Sequence, residues 1–270
     1  MATATADLDR LRSHLRDLDR VIVAFSGGAD SAFLAWVAHD TLGADRALSV
    51  TAVSPSLASS EHDDCRALAD EWSLRWRAVP TDEMANAAYR VNDADRCFHC
   101  KDALMDALDP VVTAEGATVV LGVNLDDLGD HRPGQHAAAS RGAAFPLVEA
   151  GFRKADVRTA SRALGLRTWD KPAAACLASR LPYGTPVSTP VLKQVADAEA
   201  ALQRLGFRSL RVRHYGDTAR LEVPLDDLAA VLDRRAQVVA SVHAAGYRYV
   251  TVDLEGLRSG NLNAALGDRR

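Results

Sequence analysis

Only four of the 270 residues are cysteine, at positions 65, 97, 100 and 176, and only 6% are aromatic. Four cysteines are too few for a disulfide-built scaffold, and a chain of this length has no need of one, because it can bury a core of its own. No apolar run is long enough to cross a bilayer. The N-terminal stretch MATATADLDRLRSHLRDLDR is charged and amphipathic and lacks the apolar centre of a secretory signal. The expectation is a soluble, cytoplasmic protein with no membrane partner. An excess of positive charge is missing too. The 32 Lys and Arg against 36 Asp and Glu leave a net charge of −4, which weighs against a protein that coats nucleic acid but leaves a local basic patch open.

What is present is ordinary globular composition, 48% hydrophobic and 25% charged. Leucines at 8, 11, 15 and 18 have helical spacing. VIVAF (21–25), ALSVTAV (47–53), WRAVP (76–80) and ATVVLGV (117–123) read as strands. Helices are predicted over 32–42, 59–74, 98–108 and 153–164, the last closed by Gly165. This alternation implies an α/β fold with a doubly wound, mostly parallel sheet. Three prolines in PYGTPVSTP (182–190) break the pattern and read as a hinge, so residues 1–180 are expected to form one domain and 181–270 a second. The second is smaller and also α/β. It comprises a helix over 191–206, a hairpin over 209–223, two short helices and a strand at 247–254.

The most informative stretch is AFSGGADSAFL. A buried strand runs into Ser26-Gly27-Gly28-Ala29-Asp30-Ser31, and a helix follows. Glycines let the backbone approach a ligand, and the N–H groups of the first helical turn favour an anion. A glycine turn that merely joins strand to helix is the plain alternative. The lysine of the G-x-x-x-x-G-K-[ST] loop is absent, and G-x-G-x-x-G does not match. The stretch resembles the S-G-G-x-D-S loop of the ATP pyrophosphatase superfamily. That resemblance implies that the loop holds the β and γ phosphates of ATP, that Ser26 and Ser31 donate to phosphate oxygens, and that Asp30 helps hold Mg2+.

Ligands of open α/β sheets sit beyond the carboxyl ends of the strands. Ser54 after the second strand is therefore a candidate for adenine or ribose. Gly122 and the acidic loop with Asp126, Asp127 and Asp130 are candidates for adenylate or metal contacts, Asp127 foremost. An acidic, solvated loop is the competing reading. Cys176, in WDKPAAACLASR between Lys171 and Arg180, is open as a nucleophile, a metal ligand or a buried apolar cysteine. Cys97 and Cys100 in CFHC leave a disulfide, zinc, an iron–sulfur site and coincidence open; zinc would need a fourth ligand, and His99 inside the pair is at hand. Cys65, mid-helix, reads as structural.

The blocks SGGADS, RCFHCK, GVNLDDLGDHRPG, FPLVEAGFRKADVR and WDKPAAACLASRLPYGTPV together resemble the LarE family, over nearly the whole chain. Its members are ATP-dependent sulfur transferases that build the nickel-pincer nucleotide cofactor. The resemblance implies a small nucleotide substrate, pyridinium-3,5-biscarboxylic acid mononucleotide. ATP adenylates one of its carboxylates, and sulfur then displaces AMP. In one branch of the family the cysteine matching Cys176 gives up its own sulfur. In the other, three cysteines hold a [4Fe–4S] cluster, and the presence of Cys97, Cys100 and Cys176 fits this second branch. The substrate's carboxylates and phosphate call for cations. Arg211 and Arg213, on one face of a predicted strand, and Arg180 answer to that, while Lys101 after the C-x-x-C is a candidate phosphate contact. Glu199 and Glu222 match positions where the family has carboxylates near the sulfur site. For each of these charges an exposed position on a helix or strand is the plain alternative. The resemblance also implies a homo-oligomer. Competing readings are a tRNA thiolase of the same superfamily, an amidotransferase, for which no glutaminase domain is evident, and a non-enzymatic nucleotide or iron–sulfur carrier.

Overall fold

Residues 3–129, 133–172 and 175–258 are described by a computed structural model of the chain. Asp130, and the last five residues, expected to fray, lie outside them. The order is α1 (Thr3–Leu18), β1 (Val21–Ala24), α2 (Ala29–Leu42), β2 (Ala47–Val53), α3 (Ser59–Glu71), β3 (Trp76–Pro80), α4 (Ala87–Val91), α5 (Arg96–Glu115) and β4 (Thr118–Leu121). Then come α6 (Pro133–Ser140), α7 (Pro146–Glu149), α8 (Lys154–Ala163), α9 (Thr189–Arg204), β5 (Arg211–Tyr215), β6 (Thr218–Glu222), α10 (Leu228–Asp233), α11 (Arg235–Ala244) and β7 (Tyr249–Val252). The residues divide into two units: Met1–Ser54 with Ser59–Glu83 and Cys97–Ala174, and Pro55–Ala58 with Met84–Arg96 and Ala175–Arg270. No described helix is long and apolar enough to cross a membrane.

In the first unit the strands lie in the order β3-β2-β1-β4, all parallel. Successive side chains of a strand point to opposite faces, so β1 divides its residues between two layers. Val21 and Val23 join a cluster with Leu11 and Leu15 of α1, Phe33 and Leu34 of α2, and Val157 of α8. Ile22 joins the other cluster, with Leu48 and Val50 of β2 and Leu104, Met105 and Leu108 of α5. This is the doubly wound arrangement expected from the alternation of strands and helices. The sheet order reverses at β1, since β2 lies on one side and β4 on the other. That crevice is the ligand position such sheets offer.

Element boundaries moved where propensity was a poor guide. α2 starts at Ala29, three residues before its expected start, because Gly28 already occupies the cap position with extended backbone. α5 runs on through Pro110 to Glu115. A proline inside a helix removes one hydrogen bond and crowds the preceding turn, but buried Leu108 and Val111 on either side keep the helix docked. The short α6 and α7 were not expected.

The second unit is built on a sheet of order β5-β6-β7, with β5 and β6 antiparallel and β7 parallel to β6. Ala198 and Leu202 of α9, Val212, Leu221 and Val242 form its core. The proline-rich stretch after Arg180 is irregular but tied down: Gly184 N donates to Asn92 O at 2.9 Å and Val187 N to Arg90 O at 2.9 Å. Asn92 is fully buried and left-handed, with φ 60°. Its Nδ2 donates to Pro182 O at 2.9 Å and to Thr185 O at 2.8 Å. Asn92→Ala leaves those two carbonyls without that donor and forces a Cβ-bearing, non-polar residue into the left-handed region. We expect a loss of about 3 kcal/mol or more in urea unfolding, with Asn92→Gly no better than partial recovery. An unfolding midpoint unchanged in Asn92→Ala would contradict this.

Candidate active site

The site grows from the end of β1. Phe25 O, at the mouth of the strand, accepts a hydrogen bond from Thr51 Oγ1 at 2.8 Å, and Trp76 Nε1 donates to the same Oγ1 at 2.9 Å. Ser31 then closes the turn on itself. Its Oγ accepts Ser26 N–H at 3.2 Å, lies 3.1 Å from Ser26 Oγ, and donates to Gly28 O at 3.2 Å. Gly28 caps α2 without a side-chain hydrogen bond. No capping side chain therefore competes for the amides of the first turn, which form an anion site of the kind helix starts provide.

Two glycines make the turn possible. Gly27 has φ 70°, and a Cβ on it would stand 2.9 Å from Cys65 Sγ and 3.7 Å from Lys171 Nζ. A Cβ on Gly122, just after β4, would stand 2.7 Å from Ser31 N and 2.9 Å from Asp30 C. The loop after β4 is thus pressed against the start of α2. Lys171 is held behind the turn by Glu61 at 2.8 Å and Asp64 at 2.6 Å. Cys65 is fully buried there, and burial pushes its thiol pKa up to about 11, in keeping with a structural role.

An acidic rim lies beside the turn. Asn124, fully buried, donates from Nδ2 to Asp30 Oδ1 at 3.1 Å and from its backbone N to Asp127 Oδ2 at 3.2 Å. Burial first, and the charge of Asp127 second, raise the Asp30 pKa above its ordinary value. Two nearby oxygen donors whose mutual repulsion is only partly relieved suit a hard divalent cation such as Mg2+. Opposite them stands the start of α8. Lys154 Nζ is 3.0 Å from Asp127 Oδ1, and Arg153 is 2.8 Å from Asp126 Oδ1. Ser54 donates from Oγ to the carboxylate of Glu83, which is buried. The sequence reading had quoted the FRKADVR block without giving Lys154 a role, and Glu83 carried no local signal at all.

Cys97 is exposed and Cys100 half-buried; both are free thiols in the first turns of α5, and both belong to the first unit. Lys101 follows them, half-buried against Gly134, where a Cβ would stand 2.7 Å from Lys101 Cγ. Cys176 belongs to the second unit and is also exposed and free. Among the described residues no group of three or more His, Cys, Asp or Glu stands gathered as a metal site. The donors themselves, three free thiols of which two are exposed, have the chemistry an iron–sulfur cluster takes.

Cys176 caps a tight turn of 3-10 helix, Leu177–Arg180. Arg180 Nη1 donates to Ala175 O at 2.6 Å and to Cys176 O at 3.3 Å, while Nε and Nη2 grip both oxygens of Glu199 at 2.8 and 3.0 Å. Glu199 in turn accepts Val212 N–H at 2.9 Å. Arg213 donates to Ser179 O at 2.6 Å and to Glu222 at 2.8 Å. Glu199, Arg213 and Glu222 are all buried, unlike the exposed charges of the plain alternative. Arg211 is half-buried and donates to Arg258 O at 3.1 Å. Burial, then the charges of Arg213 and Arg180, lower its guanidinium pKa, which marks a local excess of positive charge.

Comparison with known proteins adds two kinds of finding. The profile of the NAD synthase family matches residues 7–106. An uncharacterised protein of Synechocystis sp. is 44% identical over 96% of this chain and 97% of its own. The pyridinium-3,5-bisthiocarboxylic acid mononucleotide synthase of Lactiplantibacillus plantarum is 37% identical over 98% of this chain and 97% of its own. The glutamine-dependent NAD(+) synthetase of Aquifex aeolicus is 28% identical, over 32% of this chain and 16% of its own.

A carboxyl whose folded pKa is raised binds its proton better folded than unfolded. Its ionised form then costs stability, and the cost sets in as pH rises from the ordinary value of 3.8 through the folded pKa. Asp30→Asn removes that cost. We expect its melting temperature at neutral pH to exceed that of the parent by a few degrees, with the gap narrowing on acidification towards pH 4, and ATP-dependent chemistry to be lost. A lower melting temperature at neutral pH would contradict the electrostatics drawn here.

Proposed function

The chain belongs to the LarE family of ATP-dependent sulfur transferases, and on that premise we propose that it makes thiocarboxylates on pyridinium-3,5-biscarboxylic acid mononucleotide. The observation that carries this reading is the 37% identity to the Lactiplantibacillus synthase, which extends over 98% of the chain and so covers both units. A match confined to the phosphate turn would support ATP use alone.

In this reading Ser26, Gly27, Gly28 and Ser31 bind the β and γ phosphates of ATP through amides and hydroxyls, with Lys101 as a further phosphate contact. Asp30 and Asp127 hold Mg2+, and Ser54 and Gly122 border the adenosine. A carboxylate oxygen of the substrate attacks the α-phosphorus, and the bond to pyrophosphate breaks with its electron pair on the leaving oxygen. Activation is needed because a carboxylate resists nucleophiles, whereas AMP leaves readily from the acyl adenylate. Attack of sulfur on the acyl carbon then expels AMP and leaves a thiocarboxylate.

Cys97, Cys100 and Cys176 are the residues proposed to hold a [4Fe–4S] cluster. Three thiolates would hold three irons, and the fourth, when the cluster is bound, carries the sulfide to be transferred. Arg180, Glu199, Arg213 and Glu222 act by position in this reading. Arg180 fixes the carbonyls of Ala175 and Cys176, and the buried pairs beneath hold Arg180 and Ser179 in place. Arg211, in a region short of negative charge, is the group placed to receive an anionic part of the substrate. The reading includes assembly as a homo-oligomer.

Cys176→Ser separates the two half-reactions. With ATP, magnesium and the biscarboxylate mononucleotide, we expect it to release pyrophosphate within about threefold of the parent rate in a single turnover and to form no thiocarboxylate by mass spectrometry. Loss of pyrophosphate release would place Cys176 in adenylation instead. Anaerobic purification with iron and sulfide assay decides the sulfur source. Iron and acid-labile sulfide with Cys176 intact after turnover fit the cluster, whereas an iron-free active protein whose Cys176 becomes dehydroalanine would select sacrificial donation.

A further inference from the structure

The turn between β1 and α2 contains no lysine. Where a phosphate loop carries one, its ammonium reaches the β and γ phosphates. In this chain a lysine stands at the same place but comes from α8. Lys154 is anchored by its backbone, whose N–H donates to Asp126 Oδ2 at 2.9 Å. Its side chain crosses to Asp127, with Nζ 3.0 Å from Oδ1. The partners differ in freedom. The Lys154 side chain is 48% exposed and that of Asp127 only 6%, so the lysine is the member able to move. Through Asn124, whose Nδ2 and backbone N bond Asp30 and Asp127, the same carboxylate is coupled to Asp30 in the first turn of α2.

A divalent cation settling on Asp30 and Asp127 would bring two positive charges to the spot that Lys154 now neutralises. The ammonium would lose its counter-ion and be repelled. A nucleotide bound at the turn would place polyphosphate oxygens, a denser negative charge, beside it. We propose that Lys154 is the pyrophosphate-binding cation of this enzyme: it neutralises Asp127 in the empty site, yields that carboxylate to magnesium, and moves onto the β and γ phosphates. When the bond from the α-phosphorus breaks, the electron pair passes to the pyrophosphate oxygen, and Lys154 stabilises it by donated hydrogen bonds with no proton transferred. This rests on the ATP site proposed above. Arg153, bonded to Asp126, and Arg158, whose charge also acts on Asp30, complete a basic start of α8 facing the acidic rim.

Calorimetric titration of the full chain with magnesium pyrophosphate and, separately, with AMP tests the proposal. For Lys154→Gln we expect pyrophosphate affinity to fall about 10- to 100-fold, as loss of a charged hydrogen-bond donor does, and AMP affinity to stay within twofold. Lys154→Arg, which keeps the charge, should recover most of it. Nucleotide-free Mn2+ binding, followed by electron paramagnetic resonance, should tighten several-fold in Lys154→Gln, because a competing cation is gone. Pyrophosphate affinity equal to the parent's in Lys154→Gln would overturn the proposal, as would equal losses for pyrophosphate and AMP or weaker Mn2+ binding. If the parent protein itself bound neither pyrophosphate nor AMP, the ATP site would fall, and this inference with it.

Discussion

Two hydrogen atoms decide the shape of the candidate active site, those on Gly27 and Gly122 that face their neighbours. At both positions a methyl group would stand closer than 3.0 Å to another atom, to Cys65 Sγ in one case and to the backbone of Ser31 in the other. Because neither carries one, three separate stretches of chain close around a single turn. The start of α2 lies against the loop after β4, and Cys65 of α3 fits under Gly27 with Lys171 beside it. The amides of that turn are thereby aimed by packing rather than by a capping side chain. Preorganised donors of this kind cost little reorganisation when an anion arrives.

Charge is handled differently in the two units. Near the turn, carboxylates gather and are only partly compensated, so Asp30 is left with a raised pKa. That imbalance is what a magnesium nucleotide relieves. Beneath Cys176 the balance is reversed: Arg180, Arg211 and Arg213 crowd together, and Glu199 and Glu222 answer two of them. Buried ion pairs rarely add much net stability, since desolvation offsets their attraction. Their value here is positional. Arg180 spends its donors on both a carboxylate and two consecutive carbonyls, and so fixes the backbone from which the Cys176 thiol projects.

The parallel sheet was legible because its signals are local: apolar strand, glycine turn, helix, repeated. The SGGADS turn was legible for the same reason, and Ser31 indeed closes it. Burial was harder to read. Glu199, Arg213 and Glu222 look in sequence like surface charges, and only strand pairing and the turn before α9 bring them together under cover. Asn92 and Tyr89, assigned to an irregular segment, are buried parts of the second unit, which no local pattern announces. Lys154 was hidden by its neighbours: at the head of an amphipathic helix, with Arg153 beside it, it reads as one more solvated cation. Pro110 misled in the opposite sense, since a strong breaker was overruled by the apolar face around it.

The central claim is that a substrate carboxylate oxygen forms a bond to the α-phosphorus of ATP before sulfur enters. Labelling both substrate carboxylates with oxygen-18 tests it at the level of single atoms. Attack on phosphorus followed by displacement of AMP leaves one labelled oxygen on the phosphate of AMP for each sulfur installed, and the account predicts that ratio by mass spectrometry of the nucleotide. Unlabelled AMP alongside thiocarboxylate product, with the label in water or in pyrophosphate, would contradict it.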